Sequence, residues 1–250
     1  MPFSDYSTAL VTGASGGMGR AIAERLAAKG LTVHGLARNG AKLAELAAAS
    51  GIVPHEVDVT DTDALEALVG GLEIDVLVNN AGVSRPGSLL QSEAFDIDEQ
   101  IDVNFRAGLH LARLILPGMM DRDRGHIVNI TSMAAHYEFG GHIAYHATKA
   151  AMHSYTIALR QQLKQSGVEV IELMPPAVKT ALTADLPEDG DFKIMTTEEL
   201  MAETFKGLRS EKVEIRPGQA NQLHWMSRIA PGFINAQLEK GSAGLIPPPE

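Results

Sequence analysis

Short apolar runs alternate along this chain with longer segments whose apolar residues recur at helical spacing. Strands that alternate with helices imply βαβ units, which build a parallel sheet with helices on both faces. A sheet of that kind binds ligands at the carboxyl ends of its strands. The predicted strands are Thr8–Thr12, Leu31–Leu36, Ile52–Val59, Ile74–Val78, His126–Ile130, Val168–Leu173 and Val213–Ile215. The predicted helices are Met18–Lys29, Ala41–Ala49, Thr62–Val69, Ile97–Met120, Ile143–Gln165 and Glu198–Leu208.

This order of elements predicts an α/β fold with a doubly wound, mostly parallel central sheet of about seven strands flanked by helices. No linker or internal repeat divides the sequence, so we expect one domain over residues 1–250. Residues 180–196 mix apolar with acidic side chains, which favours a lid over a substrate of low charge unless the acids face solvent. Three prolines near the C-terminus predict an extended tail from about residue 240.

The composition argues against several classes of protein. The sequence contains no cysteine, so it forms no disulfide bond and no thiolate metal site. Its formal net charge of −10 argues against a nucleic-acid partner. The N-terminal residues lack a basic segment followed by an apolar run, and no apolar stretch approaches the roughly 18 residues that span a bilayer. We therefore expect a cytoplasmic protein without a membrane or nucleic-acid partner.

A glycine-rich turn, Thr12–Gly19, links the first predicted strand to its helix. Glycines there permit a tight turn and close approach to a pyrophosphate, which the N–H groups and dipole of the helix N-terminus attract. An ordinary turn would look the same locally, but its place after the first strand favours nucleotide binding. It lacks the Gly-Lys-Ser/Thr ending of P-loop nucleotidases. The residues expected around the phosphates are Gly13, Ser15, Gly16, Gly17, Met18 and Gly19.

The ends of the next strands bear on the choice of cofactor. An acid after the second strand would bind the ribose 2′-hydroxyl of NAD(H), whereas a basic residue would bind the 2′-phosphate of NADP(H). Arg38 stands there, so NADP(H) is favoured and NAD(H) is the alternative; Arg38 could also be a solvated loop residue. Asp58 could accept a hydrogen bond from adenine, or it and Asp61 could cap a helix. Small residues at 79–82, Asn-Asn-Ala-Gly, allow close approach of a cofactor or form a plain turn.

Tyr145 and Lys149 are four residues apart, so on a helix they project from one face. A nearby ammonium lowers the tyrosine pKa from its usual value of about 10, which lets the pair move a proton near neutral pH. Taken alone, this spacing is more often a surface pair. Ser132, however, ends the fifth predicted strand, where its hydroxyl could hold a substrate carbonyl or cap a turn.

In this order and spacing, the stretches resemble the short-chain dehydrogenase/reductase superfamily, in its single-domain subgroup, from about Thr8 to Thr180. The resemblance implies a Rossmann-type fold and reversible hydride transfer between NADP(H) and a small-molecule carbonyl or alcohol substrate. The matching stretches are Thr12–Gly19, Asn79–Gly82, Asn104, Ser132, Tyr145 and Lys149.

The resemblance also implies a role for each residue. Tyr145 would be the general acid/base, and Lys149 would lower its pKa and bind the nicotinamide ribose. Ser132 would orient the substrate oxygen, and Asn104 would hold a water that links Lys149 to solvent. The expected cofactor contacts are Gly13, Ser15, Gly16, Gly17, Met18, Gly19, Arg38, Asp58, Val59, Asn80, Ala81, Gly82, Tyr145, Lys149, Pro175, Val178 and Thr180.

The sequence departs from the family pattern at Pro176, where the family usually has glycine. Proline fixes φ and removes an N–H, so the loop beside the nicotinamide is expected to follow a different path. This Pro-Pro variant resembles a branch that includes the DltE-like oxidoreductases. Met18 replaces a more usual isoleucine, which is a conservative packing change.

The segment between Ser132 and Tyr145 should pass over the substrate site. Its candidate substrate contacts, together with one from the lid, are His136, Tyr137, Phe139, His142 and Leu182. His142 and His146 have a possible metal spacing, but no third ligand accompanies them, so we predict no metal.

Two long predicted helices suggest self-association. In the family such helices pair between subunits as a four-helix bundle, so we expect a homodimer or homotetramer; the alternative is burial against the protein's own sheet. The apolar residues concerned are Leu109, Leu111, Leu114, Ile157, Leu159 and Leu163. Other functional readings are an NAD-preferring dehydrogenase, an epimerase, or a cofactor-binding regulator without turnover. The glycine spacing argues against the epimerase, and the intact catalytic group argues against the regulator.

Overall fold

The computed structural model describes residues 6–90, 92–137, 140–184 and 194–230, with residues 232, 233 and 236. Seven parallel strands form one sheet in the order β3-β2-β1-β4-β5-β6-β7. The strands are β1 Thr8–Thr12, β2 Thr32–Ala37, β3 Val53–Glu56, β4 Val76–Asn79, β5 Gly125–Ile130, β6 Val168–Leu173 and β7 Glu214–Ile215. The helices are α1 Gly17–Ala27, α2 Gly40–Ser50, α3 Thr62–Val69, α4 Ala94–Ile101, α5 Ala107–Asp121, α6 Ile143–Gln162, α7 Thr197–Arg209 and α8 Gln219–Ile229.

The strand order reverses beside β1, because the chain builds outward from β1 to β3 and then returns to place β4 on the other side of β1. Ligands of doubly wound sheets bind at the carboxyl ends of the strands at such a reversal. The glycine-rich turn follows β1 and the Asn80 loop follows β4, so both predicted cofactor segments lie at this point. The predicted α/β Rossmann-type architecture is confirmed.

The central strands are buried on both faces, which explains their nearly continuous apolar sequences. Leu10, Leu77 and Ile127 are fully buried in one core layer. Their neighbours Val11 and Val78 belong to the layer on the opposite face. Each fully buried side chain of this size stabilises the fold by about 1.5–3 kcal/mol, so the sheet rests on two hydrophobic layers.

Two predicted elements differ from the structure in an instructive way. The third strand ends at Glu56 rather than Val59, because Asp58 Oδ1 accepts hydrogen bonds from the N–H and hydroxyl of Thr60 and turns the chain. The helix predicted from Ile97 begins at Ala94 and contains a π-helical turn, Asp102–Arg106, between α4 and α5. Turns of this kind are rare and frequent at functional sites.

Helix α8 was not expected from the sequence. Its buried face carries the polar residue His224, while Trp225 and Ile229 are 54% and 79% exposed, so the usual apolar stripe is missing. No helix among the described residues is long and apolar enough to cross a membrane. The predictions for Phe139, for residues 185–193 of the lid and for the tail from about residue 240 lie outside the described residues.

Candidate active site

The glycine-rich turn has a conformation that side chains would block. Gly13 and Gly17 adopt φ values of +67° and +53°, which favour glycine. A Cβ on Gly19 would lie 2.3 Å from the carbonyl oxygen of Gly13, so no larger residue fits. Gly16 precedes α1 without a side-chain cap. The turn therefore presents bare backbone and a helix N-terminus, an arrangement that fits a cofactor pyrophosphate.

Thr12 joins this turn to the loop after β4. Its hydroxyl oxygen accepts hydrogen bonds of 2.9 Å from the N–H groups of Asn80 and Ala81, and donates to the carbonyl of Val78. Asn80 Nδ2 in turn donates to the Thr12 carbonyl at 2.8 Å. Sequence reasoning missed Thr12 as an organising residue, since one threonine at a strand end carries no distinctive signal.

The segment after β6 closes the other side of the turn. A Cβ on Gly17 would lie 3.0 Å from Thr180 Cγ2, so Thr180 lies against the glycine-rich turn. Pro175 accepts a hydrogen bond from the Met133 N–H through its carbonyl. Val178 is buried in the core. Pro176 is also buried and lies close to Gly218, just before α8.

The three predicted catalytic side chains converge at the end of β5. Ser132 follows the strand, and its hydroxyl is hydrogen bonded to Tyr145 near the start of α6. It also caps a short 3₁₀ turn by accepting from the Ala134 N–H at 3.1 Å, so the capping alternative is correct, while its hold on a substrate oxygen stays a prediction. Lys149 is 5% exposed; its Nζ lies 5.7 Å from the centre of the Tyr145 ring and donates to the Ile130 carbonyl at 3.0 Å.

Burial shifts the pKa of both titratable residues. It raises the pKa of Tyr145, against a lowering effect of the Ser132 hydrogen bond. It lowers the pKa of Lys149 to about 8. The expected net lowering of the Tyr145 pKa is therefore not what the structure shows, because enclosure disfavours the phenolate. An ammonium on Lys149 would therefore have to offset this effect of burial before the pKa of Tyr145 falls below its usual value.

Asn104 lies inside the π-helical turn and is almost completely buried. Its Oδ1 accepts from the Val83 N–H at 2.7 Å, and its Nδ2 donates to the Val83 carbonyl at 2.8 Å and to Thr148 Oγ1 at 3.1 Å. A Cβ on Gly82 would lie 3.4 Å from Asn104 Oδ1 and 3.7 Å from Lys149 Nζ. Asn104 thus ties the helix to the β4 loop beside Lys149; its holding of a water stays a prediction.

At the end of β2, Arg38 is less free than expected. Its side chain is 59% exposed, but Nη1 lies 3.3 Å from Glu99 Oε1 and 3.9 Å from Asp58 Oδ2. The helix-cap alternative for Asp58 is wrong, since Asp61 caps α3 by accepting from the Ala64 N–H. Val59 is buried and packs in a small apolar cluster. The sequence did not predict Glu99 as a partner of Arg38, because an acidic residue on a helix is usually exposed to solvent.

Residues 7–191 match the short chain dehydrogenase family. The chain belongs to the short-chain dehydrogenase/reductase family. It is 35% identical to the uncharacterized oxidoreductase DltE of Bacillus subtilis, over 84% of this chain and 87% of that protein. It is 32% identical to the serine 3-dehydrogenase of Rhizobium radiobacter, over 91% and 90%. A short-chain dehydrogenase from Sphingobium yanoikuyae, solved in complex with NADPH, superposes with a TM-score of 0.80 at 28% identity, covering 98% of this chain and 97% of that one.

In this short-chain dehydrogenase, two of the residues predicted to contact substrate lie near Tyr145. The ring of His142 is 6.5 Å from that of Tyr145, and its Nδ1 hydrogen bonds with Ser84 Oγ at 2.9 Å. Tyr137 is close enough that Tyr145, after the larger effect of burial, also raises its pKa. Leu182 is 42% exposed on the 3₁₀ turn Ala181–Thr183.

His136 belongs to a cluster of three histidines, with His153 and His224. Its ring centre lies 4.6 Å from those of His153 and His224, and its Nε2 lies 3.1 Å from the sulfur of Met174. His153 is in turn hydrogen bonded to the buried carboxylate of Glu172. These contacts place its ring against the cluster, and its contact with substrate stays a prediction.

The dehydrogenase shows no metal centre in its described part. His146 Nδ1 lies 2.7 Å from the Tyr137 carbonyl oxygen, and His142 Nδ1 is hydrogen bonded to Ser84. The two histidines spaced i, i+4 therefore bind different partners. Among the described residues, no group of three or more histidines, cysteines or acids could hold an ion.

Proposed function

We propose that this short-chain dehydrogenase transfers a hydride reversibly between NADP(H) and the carbonyl or alcohol group of a small molecule. The observation that carries the proposal is the convergence of Ser132, Tyr145 and Lys149 at the carboxyl end of β5, on the same sheet edge as the bare glycine turn after β1. Sheets of this type bind their ligands along that edge.

The chain's own residues would handle the oxygen and the proton. The Ser132 hydroxyl would hold the substrate oxygen while the Tyr145 hydroxyl gives it a proton during reduction or takes one during oxidation. The Lys149 ammonium would stabilise the phenolate against the burial that raises the Tyr145 pKa. When bound, the nicotinamide supplies or takes up the hydride.

Two observations support NADP(H) over the alternative, NAD(H). The end of β2 carries Arg38 and no acid, and a guanidinium can bind a 2′-phosphate through two parallel hydrogen bonds. The relative from Sphingobium yanoikuyae was solved with NADPH. Arg38→Ala should weaken NADPH binding more than NADH binding; equal losses would remove Arg38 as the phosphate clamp.

We further propose a cytoplasmic homodimer or homotetramer. Leu111, Leu159 and Leu163 are buried in the protein's own core, so the burial alternative is correct for them. The contact between subunits would fall to the partly buried Leu109, Leu114 and Ile157. Light scattering on the purified chain measures the oligomeric state, and a monomer would contradict this proposal.

A substrate screen tests the proposed reaction. NADPH oxidation is followed with a panel of carbonyl compounds, and NADP⁺ reduction with alcohols that include serine, the substrate named for one relative. Tyr145→Phe should abolish turnover on any substrate found, while its NADPH dissociation constant stays within about twofold, because only the hydroxyl is lost. Retained turnover would refute the role of Tyr145. Tight NADPH binding with no turnover across the panel would favour the regulatory alternative.

A further inference from the structure

Glu99 on α4 is enclosed between two arginines. Its side chain is 9% exposed, and its Oε2 accepts from Arg85 Nη2 at 2.7 Å and from Arg85 Nε at 3.1 Å. The other oxygen, Oε1, accepts from Arg38 Nη1 at 3.3 Å. A glutamate is seldom buried to this extent unless it is paired, and here each carboxylate oxygen has a guanidinium partner.

This cluster stands where the adenosine end of the cofactor would lie. Arg38 follows β2, Asp58 follows β3, and Arg85 belongs to the loop that follows the small residues after β4. Asp58 and Asp96 lie 3.9 Å and 3.5 Å from Arg38 and Arg85, respectively. Three carboxylates thus accompany two guanidinium groups, which leaves the cluster with a formal charge that opposes an added phosphate.

Arg38 nevertheless keeps a free edge for an anion. Only its Nη1 is hydrogen bonded among the described residues, so Nε and Nη2 could form the parallel pair that a phosphate accepts. An ion pair this exposed on the arginine side is weak, so a 2′-phosphate can compete for the guanidinium. The Glu99 carboxylate would still remain beside the phosphate, because Arg85 holds it in place.

We propose that Glu99 is a specificity-determining residue that restrains the preference for NADP(H) over NAD(H), by partly neutralising Arg38 and repelling the 2′-phosphate. This inference rests on the proposed function, in which Arg38 binds that phosphate. With Glu99 beside Arg38, the site would bind both cofactors, since the carboxylate weakens the binding of NADP(H) and leaves that of NAD(H) unchanged.

The test measures binding to the full chain by calorimetry, with adenosine 2′,5′-bisphosphate and 5′-AMP as probes that differ only in the 2′-phosphate. Glu99→Gln keeps the shape and removes the charge, so it should tighten the bisphosphate about threefold to tenfold and change 5′-AMP less than about twofold. High salt should shrink the gain. The matched control is Asp98→Asn, which removes the same charge from an exposed residue of α4 that pairs with no described residue.

The outcomes separate this inference from the proposed function. An unchanged or smaller preference for the bisphosphate in Glu99→Gln would overturn it, as would an equal gain in Asp98→Asn. Arg38→Ala is measured alongside. If that variant loses the preference while Glu99→Gln leaves it unchanged, only the inference on Glu99 fails. If Arg38→Ala changes both probes equally, the proposed phosphate clamp itself fails.

Discussion

The Nζ atom of Lys149 lies 5.7 Å from the centre of the Tyr145 ring while it donates a hydrogen bond to the end of β5. The lysine is therefore fixed by the sheet rather than by the tyrosine hydroxyl. Because Lys149 is buried and Tyr145 is half-buried, an ammonium at this distance would act on a phenolate with less screening by solvent than between exposed charges. In the proposed reaction, proton transfer by Tyr145 would thus depend on a charge that the fold holds in place.

Removing that charge should shift the pH dependence of alcohol oxidation. In Lys149→Met, kcat should fall by about two to three orders of magnitude, and the rise of the rate with pH should move to higher pH, because the half-buried Tyr145 then ionises without help from a nearby ammonium. In the unmodified protein this help should fade above about pH 8, the lowered pKa of Lys149. Oxidation rates between pH 6 and 10 measure both effects. Lys164→Met, at an exposed lysine, is the control, and an identical profile in Lys149→Met would contradict the prediction.

Two glycines of one turn should respond differently to alanine. A Cβ on Gly19 meets backbone at 2.3 Å, so Gly19→Ala should lower the free energy of unfolding by about 1–3 kcal/mol. Gly16 has extended backbone angles and nothing within 4 Å of its Cβ position, so Gly16→Ala should change stability by less than about 0.5 kcal/mol. Urea unfolding compares the two variants, and equal stabilities would show that the turn accommodates the methyl group.

The parts of this molecule that were predictable are those encoded locally. The alternation of strand and helix patterns predicts a parallel sheet, and the four-residue spacing of Tyr145 and Lys149 predicts that they share one face of a helix. Glu99 could not be foreseen as the partner of Arg38, since 61 residues separate them and only the folded sheet brings α4 to the end of β2. The packing of His136 against His224 likewise could not be foreseen, because it depends on α8, a helix whose sequence lacks the usual apolar stripe.

Asn104 should contribute more to stability than an ordinary helix-terminal asparagine. Asn104→Ala would leave the partly buried N–H and carbonyl of Val83 without their side-chain partner, which should cost about 2–4 kcal/mol of unfolding free energy. The comparison variant is Asn39→Ala, which removes the single bond that caps α2 and should cost about 1 kcal/mol. Urea titrations give both values. A loss in Asn104→Ala no larger than in Asn39→Ala would mean that Val83 finds other partners.

The histidine cluster should make stability fall in mild acid. Burial, with nearby arginines and histidines, lowers the pKa of His136 and of His224 to about 4, so the native state keeps both rings neutral. An unfolded chain binds these protons below its usual pKa of about 6.5. The stability that the neutral rings contribute is therefore complete above pH 6.5 and is lost as the pH falls toward 4, by at most about 1.4 kcal/mol per pH unit for each ring.

His224→Phe tests this linkage without removing a hydrogen bond from Nδ1, which has no partner among the described residues. The variant should be as stable as the unmodified protein at pH 7, or more stable by about 1 kcal/mol, because a buried unpaired polar atom disappears. Between pH 7 and 5 its unfolding free energy should decline less steeply, since one titrating ring is gone. Urea unfolding at intervals of half a pH unit measures both slopes. Equal slopes of unfolding free energy against pH for the two proteins would show that His224 is not held neutral in the native state.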